Sequence, residues 1–227
     1  MDKLYKDFEL FARDRGIGSN KLDGYTKYNP YNGIIEPYIL EERTLNCAPM
    51  SVFSRLLYDK IIFLGTGVND DVANIVNAQL LYLNSIMDKE EDVKLFLNTP
   101  GGDVISGLAI YDVMNFIDPD VSTYCMGMCA SMGSILVSSG AKGKRFILPN
   151  GSVMIHQVSS GTGRVQNADL QIAAKESQKI QNSLYNILAA NTGKSFEEIE
   201  RDADRDHWFT AQEAVDYGLI DKIVTKK

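Results

Sequence analysis

The chain contains two histidines, so proton transfer through an imidazole has only two places to occur. One of them, His156, stands 25 residues after a serine, Ser131, that is set among small residues in Gly127-Met128-Cys129-Ala130-Ser131-Met132-Gly133. An isolated run of this kind has a plain explanation, since small residues let helices pack closely. It also has a chemical one. Ser131 falls where a strand pattern gives way to a helix pattern, so its hydroxyl would lie at the positive end of a helix dipole. The next backbone N–H could then donate to a developing oxyanion. This is a relative of the Gly-x-Ser-x-Gly elbow, with the first glycine four residues upstream instead of two. A serine nucleophile needs a base, and His156 or His207 must supply it. A histidine at a strand end is commonly a structural hydrogen-bonder, and His207, in Arg205-Asp206-His207-Trp208, reads as a solvated surface residue. The base needs a carboxylate to fix its tautomer. Asp202, Asp204 and Asp206 all lie between two helical patterns, and spacing does not choose among them. A second oxyanion donor would come from Pro100-Gly101-Gly102, where glycine lets backbone approach a ligand closely.

These residues must be carried by particular elements. Ser51–Leu64 reads as a short helix followed by the buried strand Ile61-Ile62-Phe63-Leu64. Asn69-Asp70-Asp71 caps a helix whose Ile75, Leu80, Leu81 and Ile86 recur at helical spacing. VKLFLNTP, GDVISGLAIYDVMNFI, VSTYCMG and ASMGSILVSSG continue as strand, helix, strand, helix. Such alternation predicts an α/β fold with parallel strands, and ligands at the carboxyl ends of those strands. The site is therefore expected at the turns near Gly101 and Ser131. KRFILP and SVMIHQ read as further strands about an Asn150-Gly151 turn suited to positive φ. A long helix over ADLQIAAKESQKIQNSLYNILAAN carries Ala173, Ile180, Leu184 and Ile187 on one stripe, more apolar face than a compact sheet requires, which suggests subunit contacts. Ser195 with Glu198, and Thr210 with Glu213, form two capping boxes. Residues 1–33 are polar and lack a sustained apolar period, as in an extension or removable segment.

Composition narrows the function classes. The 227 residues carry a net charge of −7, with 44% hydrophobic and 23% charged residues, the balance of a soluble globular chain with no affinity for nucleic acid. The start of the chain has no signal-peptide pattern, and the charge-free run Val121–Ala141, with six Ser/Thr and three Gly, reads as core and not as a membrane span. Three cysteines make no disulfide framework and suit a reducing cytoplasm. Cys125 and Cys129 read as small buried thiols, because only Cys47 and the two histidines remain to complete a metal site. Neither G-x-G-x-x-G nor a P-loop follows any strand.

Read in order, NTPGG (98–102), GLAIYDVMNFI (107–117), DVSTYCMGMCASMG (120–133), GAKGKRFILPN (140–150), VMIHQ (153–157) and TGKSFEEIERDADRDHWFTAQEAVDYGLID (192–221) closely resemble the proteolytic subunits of Clp proteases, the ClpP family. The resemblance spans about Ser51 to Val224. It implies a crotonase-like α/β superhelix of repeated β-β-α-type units with an extended handle helix, the handle covering about 158–192 of a 51–227 head and handle domain. It also implies a homo-oligomer of two stacked heptameric rings forming a closed chamber. Unfolded polypeptide would be fed in by a hexameric AAA+ unfoldase such as ClpX, ClpA or ClpC. By the same resemblance Ser131 is the nucleophile, His156 the base, Asp206 its carboxylate, and the N–H groups of Gly102 and Met132 the oxyanion donors. Asp204 and Arg205 match the pair that links rings, and Phe96, Phe116, Tyr124 and Phe146 match an aromatic unfoldase-docking pocket. Residues 1–33 become a prosegment and 34–50 an axial pore loop. The chain itself needs neither metal nor cofactor, because ATP is used by the partner.

The chain departs from the family after His156-Gln157, where it lacks a proline and is one residue longer before Ala168-Asp169, and at Lys94, where a tyrosine is usual. The first difference bears on ring stacking and handle order, the second on docking. The expectation is a cytoplasmic serine endopeptidase. The alternatives are an acyl-CoA enzyme of the crotonase fold and a catalytically silent ring subunit that supports an active paralogue.

Overall fold

A computed structural model describes residues 38–43, 46–87, 90–159, 161 and 166–226. The segment read as a prosegment, 1–33, lies outside the described residues. The chain divides into two units, Met1–Val52 and Phe53–Lys227. In the first, where the sequence suggested a pore loop, β1 (Tyr38–Arg43) and β2 (Asn46–Ser51) pair antiparallel, with Tyr38 opposite Ser51 and Arg43 opposite Asn46.

The second unit opens on α1 (Val52–Tyr58, which straddles the division) and then alternates as the periodicity predicted. The order is β3 (Ile61–Leu64), α2 (Asp70–Ile86), β4 (Val93–Thr99), α3 (Val104–Phe116), β5 (Val121–Ala130) and α4 (Met132–Ser138). β6 (Arg145–Ile147), β7 (Ser152–Ile155), α5 (Asn167–Thr192), α6 (Phe196–Asp202), β8 (His207–Thr210), α7 (Ala211–Tyr217) and β9 (Lys222–Ile223) follow. Strands β3, β4, β5, β6 and β9 lie side by side and parallel. Local chemistry sets the helix starts: Asn69 and Asp103 accept the N–H groups of Val72 and Ser106, and both anticipated capping boxes are formed.

The ten-residue β5 forks the sheet. Its first half pairs with β6 (Thr123 opposite Arg145) and its second half with β7 (Met128 opposite Ser152). The fork is at Gly127, whose φ of +81 only glycine adopts without strain. There the register against β4 slips, from Leu97 opposite Cys125 to Thr99 opposite Cys129, and Asn98 Oδ1 accepts the Met128 N–H at 3.1 Å. β6 and β7 are thus not a hairpin. The Asn150-Gly151 turn closes with Gly151 N–H donating to Leu148 O at 2.8 Å, and Gly151 is not among the positive-φ glycines, contrary to the tight-turn expectation.

Val93, Leu95, Leu97 and Thr99 alternate into the core along β4, joined by Ile62 and Leu64 of β3. The opposite face carries Phe63, Phe96, Tyr124 and Phe146 in one cross-strand row. Helix α2 buries Ala73, Val76, Leu80 and Leu83, not the stripe read from sequence, for Leu81 and Ile86 are exposed. In α5 the buried residues are Leu184, Tyr185 and Leu188, while residues 167–176, Ala173 among them, are exposed. The charge-free run Val121–Ala141 is core, as expected, and among the described residues no helix is long and apolar enough to cross a membrane.

Arg145, 6% exposed, locks the carboxyl-terminal elements together. Its Nε and Nη2 donate to Asp221 at 2.9 and 2.5 Å, and its Nη1 donates to the carbonyls of Ser138, Asn191 and Gly218, at or beside the ends of α4, α5 and α7. Burial raises the Asp221 carboxyl, but the Arg145 donors and the N–H groups of Arg145 and Gly143 outweigh it and hold the group below the usual carboxylate range.

Candidate active site

The turn after β4 and the turn after β5 meet, as expected for ligands at strand carboxyl ends. A Cβ on Gly101 would lie 2.8 Å from both Ser131 Cβ and Met132 N, and one on Gly102 would lie 2.2 Å from Val68 O. Only glycine lets these segments come so close. The turn is fixed from both sides. Gly101 N–H donates to buried Thr99 Oγ1 at 3.1 Å, Gly101 O accepts Val68 N–H at 2.8 Å, and Val68 O accepts Asp103 N–H at 2.9 Å.

Ser131 has φ 53 and ψ −120, a left-handed conformation that costs a side-chain-bearing residue about 1–3 kcal/mol. Its neighbours hold it there. Ser131 N–H donates to Met154 O at 2.9 Å, and Ser131 O accepts Ser134 N–H at 2.9 Å and Ser134 Oγ–H at 2.6 Å. The small residues have their packing role as well: a Cβ on Gly133 would be 2.7 Å from Thr99 Cγ2, and one on Gly107 would be 2.2 Å from Met132 Cγ. The packing reading of the Ala-Ser-Met-Gly run therefore holds for its glycine, while Ser131 stands at the junction of strand and helix as the periodicity predicted.

The Ser131-to-Met154 bond joins the elbow to β7, and His156 follows β7 directly. β7 runs antiparallel to β8 with Ile155 opposite His207. One step beyond that last pair, the same register sets His156 against Asp206. His156 Nδ1 lies 3.0 Å from Asp206 Oδ1 and Nε2 lies 2.8 Å from Ser131 Oγ. An ionised carboxylate only accepts, so Nδ1 carries the proton and Nε2 accepts the Ser131 hydroxyl. The side chains are 26% exposed for His156 and 64% for Asp206.

The other two aspartates are engaged elsewhere. Asp202 accepts from Tyr217 Oη at 2.9 Å and Arg201 Nε at 3.0 Å. Burial raises its carboxyl, but these donors prevail and lower it. Asp204 is exposed, its backbone carbonyl accepting from Gln157 and Arg205. His207 is not the solvated residue its charged neighbours suggested. It stacks on Phe209 at 4.2 Å, and its Nδ1 meets the Asp202 carbonyl at 3.1 Å.

Beside the three residues is a cleft of about 210 Å³, lined by Gly102, Ser131, Met132 and His156 and floored by apolar Ile135 and Leu184. The arrangement can activate a hydroxyl, and the apolar floor can take a side chain of a bound chain.

The remaining expected residues lie on other surfaces. Phe96 stacks on Tyr124 at 4.4 Å and Tyr124 on Phe146 at 4.9 Å, while Phe116, 76% exposed, ends α3 outside that stack. Phe63, at 39% exposure, extends the same cross-strand row and was not anticipated. Cys125 and Cys129 are buried thiols, as read, their Sγ atoms facing the carbonyls of Ser152 and Leu97, and burial pushes the Cys129 thiol up. Sequence reasoning also missed the Arg145–Asp221 lock and Gln157. Only Arg145, within an otherwise apolar strand, left any trace.

The Clp protease family model matches residues 46–227. Curated relatives include the ATP-dependent Clp protease proteolytic subunits of Porphyromonas gingivalis, 49% identical over 97% of this chain and 98% of its own length, and Bacteroides fragilis, 49% identical over 97% and 99%. That of Bacteroides thetaiotaomicron is 48% identical over 97% and 99%.

Proposed function

The chain belongs to the Clp protease family, and from that premise we propose that it is the proteolytic core of an ATP-dependent Clp protease, a serine endopeptidase acting on unfolded polypeptides. The observation that carries the reading is the unbroken chain of contacts from Ser131 Oγ through the His156 ring to Asp206 Oδ1. Ser131 attacks the scissile carbonyl while His156 Nε2 takes its proton, and Asp206 stabilises the imidazolium that forms. The N–H groups of Gly102 and Met132 receive the oxyanion. The imidazolium then protonates the leaving amine, and water repeats the sequence on the acyl-enzyme. No step in this sequence calls for a metal or a cofactor.

The ATP dependence named for the relatives brings in an ATPase partner, which we take to be a ring-shaped AAA+ unfoldase such as ClpX, ClpA or ClpC. The stacked Phe96, Tyr124 and Phe146, with Phe116, supply an apolar surface suited to docking it. The exposed apolar residues Leu170 and Ile172 near the start of α5 suit contacts between copies, in keeping with two stacked heptameric rings linked at Asp204 and Arg205. The balance of charge and the cysteine usage favour the cytoplasm.

Gel filtration combined with hydrolysis of a small fluorogenic peptide tests the reading. An oligomer that turns the peptide over supports it. A folded oligomer with no turnover, alone or with an unfoldase and ATP, would identify a silent scaffold instead.

A further inference from the structure

We propose that Gln157 is a positioning residue that holds the Asp206 carboxylate in place against His156. This rests on the serine-peptidase reading above.

The β7–β8 ladder ends at Ile155 opposite His207, so the base and its carboxylate stand just past the last pair of strand partners. Asp206 is on the connection between α6 and β8, and its side chain faces largely into water. A carboxylate so placed gains little from burial and depends on its backbone for position. Gln157 provides that support. Its Nε2 donates to Asp204 O at 2.7 Å, a side-chain bond that takes over where the backbone ladder stops. The segment carrying the base is thereby tied to the segment carrying the acid, two residues before Asp206.

A second donor, Arg205 Nη1, reaches the same carbonyl at 3.1 Å, but it joins neighbouring residues of one segment and ties nothing across. On the other side the segment is held by Asp202, through His207 and Tyr217. Without Gln157 the stretch from Ala203 to Asp206 would be held at its two ends, by the turn that closes α6 and by the first pair of β8, with nothing tying its middle to the segment that carries His156. The side chain is half-buried, so its removal should leave the core intact.

The test is peptide hydrolysis by the full-length chain, comparing Gln157→Met, which keeps the shape and loses the donor, with Gln157→Lys, which keeps a donor of similar reach. Each is made in the wild type and in an Asp206→Asn background, with unfolding temperature and oligomer size measured beside them. Loss of one hydrogen bond predicts that kcat falls about 3- to 10-fold in Gln157→Met with KM unchanged. The lysine variant should recover most of this, and Gln157→Met should cost nothing more when Asp206→Asn is already present. An unchanged kcat in Gln157→Met would overturn the proposal, as would an equal further loss in the Asp206→Asn background, which would mark a general structural role. Failure of the wild type itself to hydrolyse peptide, and of Ser131 to accept a fluorophosphonate, would instead overturn the reading on which the proposal rests.

Discussion

Replacing Asp206 with asparagine keeps the size and polarity of the side chain and removes its charge, and the structure sets what that charge contributes. In the transition state an imidazolium faces the carboxylate at 3.0 Å. At that separation two unit charges attract by about 5.5 kcal/mol for an effective dielectric near 20, and about 1.4 kcal/mol in water. Asp206 is 64% exposed and His156 26%, so the pair lies between these limits, at about 2–4 kcal/mol. The expected loss in kcat/KM is therefore about 30- to 1000-fold, short of the roughly 10⁴-fold known for a buried triad aspartate. The assay is hydrolysis of a fluorogenic peptide near neutral pH by matched oligomeric preparations. A loss under about threefold would refute Asp206 as the partner of His156. A loss of 10⁴ or more would refute the reasoning from exposure, because the carboxylate would then have to be shielded from water in the working enzyme.

Other outcomes follow from the same geometry. Gly102→Ala must fit a Cβ 2.2 Å from the Val68 carbonyl at a φ of +148, which displaces the neighbouring N–H; kcat should fall by about 10²–10³-fold with the fold intact by circular dichroism. Arg145→Met leaves the half-buried Asp221 carboxylate without its partner, at a cost of about 2–4 kcal/mol, and should lower the unfolding temperature by about 4–16 °C in calorimetry at fixed protein concentration. Because the Asp221 carboxyl is held below its unfolded value, its contribution is complete above the ordinary carboxylate range near pH 4. It fades as pH falls through the folded value, so Asp221→Asn should flatten the acid limb of a plot of unfolding temperature against pH. Tyr124→Ser removes the centre of the aromatic stack and should reduce unfoldase-driven degradation of a folded substrate several-fold while sparing small-peptide hydrolysis.

What the sequence made legible was whatever depends on near neighbours. Asn69, Ser195 and Thr210 act on N–H groups within three residues of themselves, and each cap forms as read. The β-α alternation was equally local, and it led to the meeting of the Gly101 and Ser131 turns. What depends on distant register was hidden. Nothing near Asp202, Asp204 or Asp206 distinguishes them; the β7–β8 ladder does, by setting residue 206 against residue 156. Only the family resemblance had pointed to Asp206, the one of the three that meets His156. Gly127 looked like one more small residue before the serine, whereas its positive φ forks the sheet and brings β7 beside β5. The apolar stripe of α2 was misassigned because Leu81 and Ile86 share the hydrophobicity of the buried residues while facing outward. Hydrophobicity records that a surface is to be covered, not whether the chain's own core or another molecule covers it.

The central claim is that Ser131 is a nucleophile activated by His156. Its most direct test is labelling of the full-length chain with a fluorophosphonate, with the adduct mapped by peptide mass spectrometry and the Ser131→Ala and His156→Ala variants treated in parallel. A single adduct is expected on Ser131, absent from the first variant and slowed at least a hundredfold in the second. A folded oligomer that takes no label with or without an unfoldase, or one whose Ser131 reacts equally fast without His156, would contradict it.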